Sequence, residues 1–484
     1  MEVNLESIVD NALETAAKIG AYQSEIFGAR GKLLVLMVEK SIPSAMTNYV
    51  GGLAVRVATE KNIGFAYTTS FSPEMIQETI KSALENAKAK GEDKYFKGLP
   101  PETPTTDITP TYDKSTAELS LDDVIDFYEA VKNTIEEKKK KIALIGGGVI
   151  AGEVEVVLKN SLGAGKQGKA TLVSTFLYSL ATDEIPPAII DTYEARNSIK
   201  EIDPNKLGEK LAEETLKAKR AKEINYSGKV PVIILPTALS SFLWVFSEEI
   251  IAPNVDRGST PFKREKLGEK VASEEVSIID NPRAQDCPWR TSRDDEGVPT
   301  KEVEIIRDGV LTSHLTDYYY ATKWGVEPTG SCRRVGRWSF GWDPLVPPGV
   351  SPWWIEIKSK NQDTLENIIS DIKEGFVIKS VMGIHQSDFT SGKFAVPAFG
   401  WYIRNGEIAH PVHNLMLSGT IPELLRGIRA ISKETERTEY GDLPAVLVEN
   451  LDVVASKSPL LYRIGLKLFN ILLRIGIVKH PLFS

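Results

Sequence analysis

The stretch Glu153-Val154-Glu155-Val156-Val157-Leu158-Lys159-Asn160-Ser161-Leu162-Gly163-Ala164-Gly165-Lys166-Gln167-Gly168, continuing into Thr171-Leu172-Val173, decides how the chain is read. Its first six residues look like sheet, and Gly163 to Gly168 spells G-x-G-x-x-G. A dinucleotide site needs that turn to open a helix, whose N-terminus then meets the pyrophosphate. Here β-type residues follow instead. The ATP-binding version also fails, because Asn160 stands where the first glycine belongs and Gln167 replaces the Ser/Thr metal ligand. A hairpin turn is favoured over a phosphate site, and Gly146-Gly147-Gly148 is read the same way.

Sheet-like residues extend outward from that hairpin, from Ile142 to Tyr193. Upstream, Ile8, Ala12, Ala16 and Ile19 recur at helical spacing; Glu25 to Ala29 and Leu33 to Val38 look like strands. Gly51 to Tyr67 alternates with period two, and Pro73 to Ala89 is helical with proline in the first turn. A Pro/Thr-rich connector runs from Leu99 to Thr111. Ser120 with Asp123 is a capping signature for a helix reaching about Lys140, and Lys138 to Lys141 reads as its solvated last turn. Pro204 to Lys219 is a further helix, and the polar run Lys222 to Lys229 is the best boundary.

The second half opens on a buried strand, Val230 to Leu235, and an apolar helix, Ala238 to Ile250. Strands and turns dominate to Ser456, with helices expected near Ser313–Lys323, Asp363–Lys373 and Pro422–Lys433. Pro328 to Trp354 reads as a long loop rich in Pro, Gly, Trp and Arg, of the kind that binds or moves.

Composition narrows the classes. The chain has 484 residues, 42% hydrophobic and 26% charged, with 58 basic against 66 acidic side chains and a net charge of −8. That excludes disordered and collagen-like chains, and it argues against a broad nucleic-acid surface. Two cysteines, Cys287 and Cys332, exclude a disulfide framework and fit a reducing compartment. Residues 1–6 lack the basic start and apolar core of a signal peptide, and no run suits a membrane span, so a cytoplasmic location is expected.

Motifs with chemistry are sparse. The five histidines form no H-E-x-x-H, and Pro411 argues against a helix presenting both His410 and His413. Ser240 and Ser241 lack a nucleophile elbow. Cys287 has no local activating partner, while Cys332 beside Arg333 and Arg334 could have a lowered pKa, a bland loop cysteine being favoured. Asp294-Asp295-Glu296-Gly297 is the most pointed polar cluster, suited either to a structural turn or to binding a cation, an amine or backbone donors.

In their order, several pieces resemble the TldD/PmbA family of peptidase-associated proteins, also described as DNA-gyrase modulators. They are Gly51 to Val57, Val154 to Gly163, Asp294 to Leu311, Thr329-Gly330 and, most strongly, Gly392 to Gly419 (GKFAVPAFGWYIRNGEIAHPVHNLMLSG). The resemblance covers roughly residues 1–456. It implies an α+β protein: an N-terminal α/β domain (1–222), then a C-terminal β-rich domain built on curved antiparallel sheet (229–456). In the family's catalytic members, H-E-x-x-x-H on a helix after the first strand of the second domain, with a late cysteine, binds zinc. By alignment that slot is Leu243 to Glu248 here. Leu243 and Trp244 cannot ligate zinc, a lone Glu248 is one ligand where three are wanted, and Leu443 to Ser456 holds no cysteine.

The resemblance therefore implies a PmbA/TldE-like subunit with no catalytic or metal residue of its own. Zinc would be supplied by a TldD-type partner, and a peptide substrate would be processed in an enclosed cavity. Asp294, Asp295, Glu296, Arg333, Arg334, Arg337 and Trp338 become candidates for peptide or partner contact. The alternative is a homodimeric peptide-binding or scaffold protein that has lost peptidase activity.

Residues 457–484 lie beyond the resemblance. Leu460 to Val478 is apolar except for Arg463, Lys467, Asn470 and Arg474, whose spacing makes one polar stripe on a helix. No acidic residue follows Asp452, while the tail carries five basic ones. So wide an apolar face needs a membrane interface, a groove of this protein or a partner. Docking on protein is favoured over a membrane surface.

Overall fold

The structure is a computed structural model that describes residues 4–109, 111–138, 141–336, 341–343, 345–474 and 478. Long runs of β-branched and alternating residues make six N-terminal strands: β1 Gln23–Glu39, β2 Ile42–Ala58, β3 Ile63–Thr68, β4 Ile142–Asn160, β5 Gly165–Ala181 and β6 Ile189–Arg196. They form one sheet in the order β3-β2-β1-β4-β5-β6, with every pairing antiparallel. The two short runs read in residues 25–38 are one continuous strand.

The G-x-G-x-x-G letters fall in the β4–β5 hairpin, where Lys159 faces Gly165 and no helix follows. Asn160 fixes the turn. Its side chain accepts from the N–H groups of Leu162 (2.9 Å) and Ala164 (3.0 Å) and donates to the carbonyl of Pro100 (2.8 Å). Asn160→Ala is expected to lower stability by about 2–3 kcal/mol in urea unfolding, three buried bonds being lost together. Gly147 also has a structural reason, since a Cβ there would lie 1.9 Å from the Phe176 carbonyl oxygen.

Successive β1 residues point to opposite faces. Ile26 packs with the helices Leu5–Ile19 and Pro73–Ala89, and Leu34, Leu36 and Val38 pack under Leu121–Lys138 and Pro204–Ala218. Glu25 and Phe27 point the other way, toward Arg334. The expected capping box is present: Asp123 accepts from the Ser120 N–H at 2.7 Å, and Ser120 Oγ accepts from the Asp123 N–H at 3.3 Å.

The C-terminal half is built on a seven-stranded sheet in the order Gln362–Asp363, Ile428–Arg437, Asp442–Ala455, Glu407–Thr420, Lys393–Arg404, Glu374–Val381, Tyr226–Ile234. Asp442–Ala455 also pairs with Tyr226–Ile234, so five of these strands close into a ring. The chain is α+β, as expected, and its curved sheet is mixed: Tyr226–Ile234 runs parallel to Glu374–Val381. One apolar cluster joins the two sheets, with Leu34, Leu177 and Leu211 packed together with Ile233, Trp401 and Ile403.

Three helix boundaries differ from expectation. The first helix begins at Tyr318, where Asp317 accepts from the Tyr320 N–H at 2.8 Å, and the second spans only Leu365–Ser370, capped by Thr364. The third stops at Gly427. Beyond it Ile428–Arg437 pairs with Asp442–Ala455, because pairing with Val446, Leu447 and Val448 outweighs a helical pattern.

Candidate functional site

The helix Pro236–Glu249 follows the first strand of the ring and holds the slot where zinc ligands were sought. Leu243 is buried. Trp244 meets Phe389 edge-on at 6.0 Å, Phe242 meets Phe394 at 4.9 Å, and Phe246 meets Phe262 at 5.5 Å. Glu248 accepts from Asn254 Nδ2 through its backbone carbonyl (2.6 Å) and Oε2 (3.3 Å). This donor set does not fit zinc, which wants three or four N, S or O ligands converging on one point. Among the described residues, no group of three or more His, Cys, Asp or Glu is placed to hold a metal ion.

Reading the sequence missed Glu249. It is fully buried, neither carboxylate oxygen has a hydrogen-bond partner, and burial, then the Asp388 charge, pushes its pKa up to about 9. The signal was available: Leu239, Phe242, Phe246 and Glu249 share one helical face, so the apolar spacing carries the carboxyl into the core.

The histidines do not converge. His314 is buried, 2.7 Å from the carbonyl oxygen of Phe262, and burial lowers its pKa. His410 lies against Tyr402 at 5.7 Å, and His413, three residues on and on the opposite face of the same strand, has its pKa lowered by burial. His480 lies outside the described residues.

Asp294, Asp295 and Glu296 are brought together with Arg334, all four in the interior and no more than 3% exposed. Asp294 closes its own turn, accepting from the N–H groups of Glu296 (3.1 Å) and Val298 (2.9 Å), and from that of Cys332 (3.1 Å). Asp295 pairs with Lys166 of the hairpin and accepts from the Arg334 N–H at 2.6 Å. Glu296 pairs with Arg56 of β2 at 3.2 Å and accepts from the Tyr318 N–H at 2.6 Å. Glu25 completes the network, pairing with Arg56 and, at 3.1 Å, with Arg334, whose guanidinium also stacks on Phe27 at 4.4 Å. Gly297, at φ +86°, lets the turn reach Gly165. The cluster thus fastens the C-terminal half to the outer face of the N-terminal sheet.

Five carboxyl groups (Glu25, Asp294, Asp295, Glu296 and Asp317) here meet three cations (Arg56, Lys166 and Arg334). Burial, then the Glu296 charge, raises Asp294 well above the carboxylate range and Asp317 to about 7. Burial likewise raises Glu296 against the pull of Arg56. For Asp295 burial works in the same upward direction, but Lys166 prevails and holds it low.

The 328–354 segment is not structureless. Cys332–Arg333 pairs with Gly349–Val350, and Val335–Gly336 with Gly341–Trp342. Arg333 stacks on Trp353 at 4.6 Å and donates to the Pro352 carbonyl at 2.5 Å. Arg337 and Trp338 lie outside the described residues. Cys332 is not an activated thiol: burial, with Glu296 and Asp294 nearby, pushes its pKa well up, and burial pushes Cys287 up to about 12. An open cavity of about 680 Å³ lies between the hairpin end (Lys159, Lys166, Lys169), the turn residue Arg293, Glu102 of the connector and Tyr112 just beyond it.

The tail forms the helix Leu460–Arg474, with Leu473 buried and Leu466, Phe469 and Leu472 half-buried. Its polar residues meet the protein. Asn470 accepts from the Ile185 N–H and donates to its carbonyl, both at 2.7 Å, Arg474 donates to the Asp183 carbonyl at 3.3 Å, and Arg463 lies 3.6 Å from Glu223. Lys467 is exposed, and so is most of the apolar face. No described helix is long and apolar enough to cross a membrane.

This α+β frame, with a ring-closing sheet whose first strand leads into the helix Pro236–Glu249, has counterparts among known proteins. Residues 227–455 match the PmbA/TldA metallopeptidase C-terminal domain and residues 25–89 match PmbA/TldA metallopeptidase domain 1; the chain belongs to the PmbA/TldD family. The metalloprotease PmbA of Escherichia coli O157:H7 is 24% identical over 93% of this chain and 96% of its own length. A zinc metalloprotease TldD homolog of Saccharolobus solfataricus is 29% identical over 43% of this chain and 45% of its own. TldE from Thermococcus kodakarensis has the same fold, with a TM-score of 0.82 at 24% identity over 92% of this chain and all of its own.

Proposed function

We propose that this chain is a non-catalytic, PmbA/TldE-like subunit of a cytoplasmic zinc metallopeptidase, working as a heterodimer with a TldD-type chain that holds the zinc. The observation that carries this reading is the helix Pro236–Glu249, where Leu243, Trp244 and the Asn254-bound Glu248 occupy the slot and aromatic rings fill the space around it. Without ligands there is no bound water to activate, and this chain's part is to shape and close the compartment in which the partner cuts.

The cavity has room for an extended peptide, with exposed Lys169 on its lining, Lys166 there being paired with Asp295 and Arg293 with the Gly297 and Thr103 carbonyls. Asp294, Asp295, Glu296 and Arg334 are then structural support for the turn beside it, and Arg333, Arg337 and Trp338 stay candidates for peptide or partner contact without assignment to this cavity. Co-expression with the TldD-type chain of the same genome tests the assignment. A stable one-to-one complex and peptidase activity only in the mixture are expected. A homodimer indifferent to that chain would favour the peptide-binding scaffold instead.

A further inference from the structure

The C-terminal helix packs Leu473 and half-buries Leu466, Phe469 and Leu472, yet turns a second apolar arc to solvent. Leu460, Leu461, Ile464, Leu468 and Ile471 lie on one arc and are between 46% and 84% exposed, while Leu473 on the opposite side is buried. This orientation is fixed at both ends. Ser458 Oγ donates to Glu223 at 2.6 Å and the Lys457 N–H to Asn225 at 2.8 Å before the helix begins. One turn from its end, the two Asn470–Ile185 bonds anchor the polar side. Rolling the helix to hide its leucines would break both Asn470–Ile185 bonds and leave these part-buried groups without each other.

An outward apolar arc needs an occupant, and the charges around it say which. Lys467 and Arg474 border the arc and are exposed, and residues 457–484 contain five basic side chains and no acidic one. A second copy would bring the same positive border against itself. An anionic bilayer surface offers hydrocarbon for the arc and phosphate for the border, at the depth where long cationic side chains reach the headgroups.

We propose that Leu460–Arg474 is an interfacial membrane anchor, its Leu461–Ile464–Leu468–Ile471 arc seated in the acyl boundary of an anionic leaflet and Lys467 and Arg474 at the headgroups. The anchor would hold the protein flat on the membrane without spanning it. This inference is independent of the subunit reading, since it uses no residue of the ring sheet or the cavity.

Co-sedimentation of the full chain with vesicles of mixed phosphatidylcholine and phosphatidylglycerol, and of phosphatidylcholine alone, tests it. The parent is expected to pellet with the mixed vesicles, less with the neutral ones, and less again as salt rises. The L461E/L468E variant alters only solvent-facing positions, so its circular dichroism should be unchanged. Its partitioning should fall by about a hundredfold, roughly tenfold for each leucine. A parent that stays in solution with the mixed vesicles, equal binding to both vesicle types, or a double variant that still pellets would overturn the proposal. So would a parent dimer in light scattering that the double variant abolishes without any vesicle binding.

Discussion

Arg334→Ala is expected to cost about 3–5 kcal/mol of folding stability in urea unfolding, the amount typical of removing one partner from a buried pair. Arg334 is fully buried, and its guanidinium is shared among Glu25 at 3.1 Å, the Val346 carbonyl at 2.7 Å and the ring of Phe27. Its removal leaves Glu25 buried with Arg56 alone, and Arg56 already serves Glu296. The loss falls on a cluster in which carboxyl groups already outnumber cations. The damage should appear at the junction of the two sheets, so protease cleavage near residues 290–300 should accelerate along with global unfolding. A loss below about 1 kcal/mol would class the pair with solvent-screened surface bridges and contradict the network described here.

Glu249→Met is expected to make the protein more stable at pH 8 than its parent, and to flatten its pH dependence. A glutamate titrates near 4.5 when unfolded and at about 9 in this fold, where burial, then the Asp388 charge, disfavours the carboxylate. Between those values the folded state holds a proton that the unfolded state lacks, so the parent's stability is fully present below pH 4.5 and declines as pH rises toward 9. From pH 5 to pH 8 the difference between parent and variant should change by on the order of 4 kcal/mol, at about 1.36 kcal/mol for each pH unit. Other titrating groups are common to both proteins and cancel. Parallel stability curves for the two would show that Glu249 finds a partner or solvent.

What could be read from the sequence was local. The β4–β5 hairpin was legible because Thr171-Leu172-Val173 cannot open a helix, and the Ser120/Asp123 cap because its two halves are three residues apart. That residues 243–248 contain no histidine or cysteine needed only the residue types. Matters decided by distant residues were hidden. Asp294 to Glu296 looked like a turn on account of Gly297, but their burial depends on Arg56 and Lys166, 240 and 129 residues away from their partners. The tail's polar stripe was plain, yet the side it turns to the protein is set by Ile185, 285 residues away from Asn470. Glu249 was overlooked because a charged side chain is assumed to face water, although its own helix places it in the core.

The proposed subunit role requires that this chain carry no zinc chemistry of its own. The most direct test is metal analysis of the purified chain, with peptidase assays on it alone and with its TldD-type partner. Less than a tenth of an equivalent of zinc, no cleavage alone and chelator-sensitive cleavage in the mixture are expected, the full site needing ligands that residues 243–248 lack. Stoichiometric zinc and peptide cleavage by the isolated chain would contradict the account.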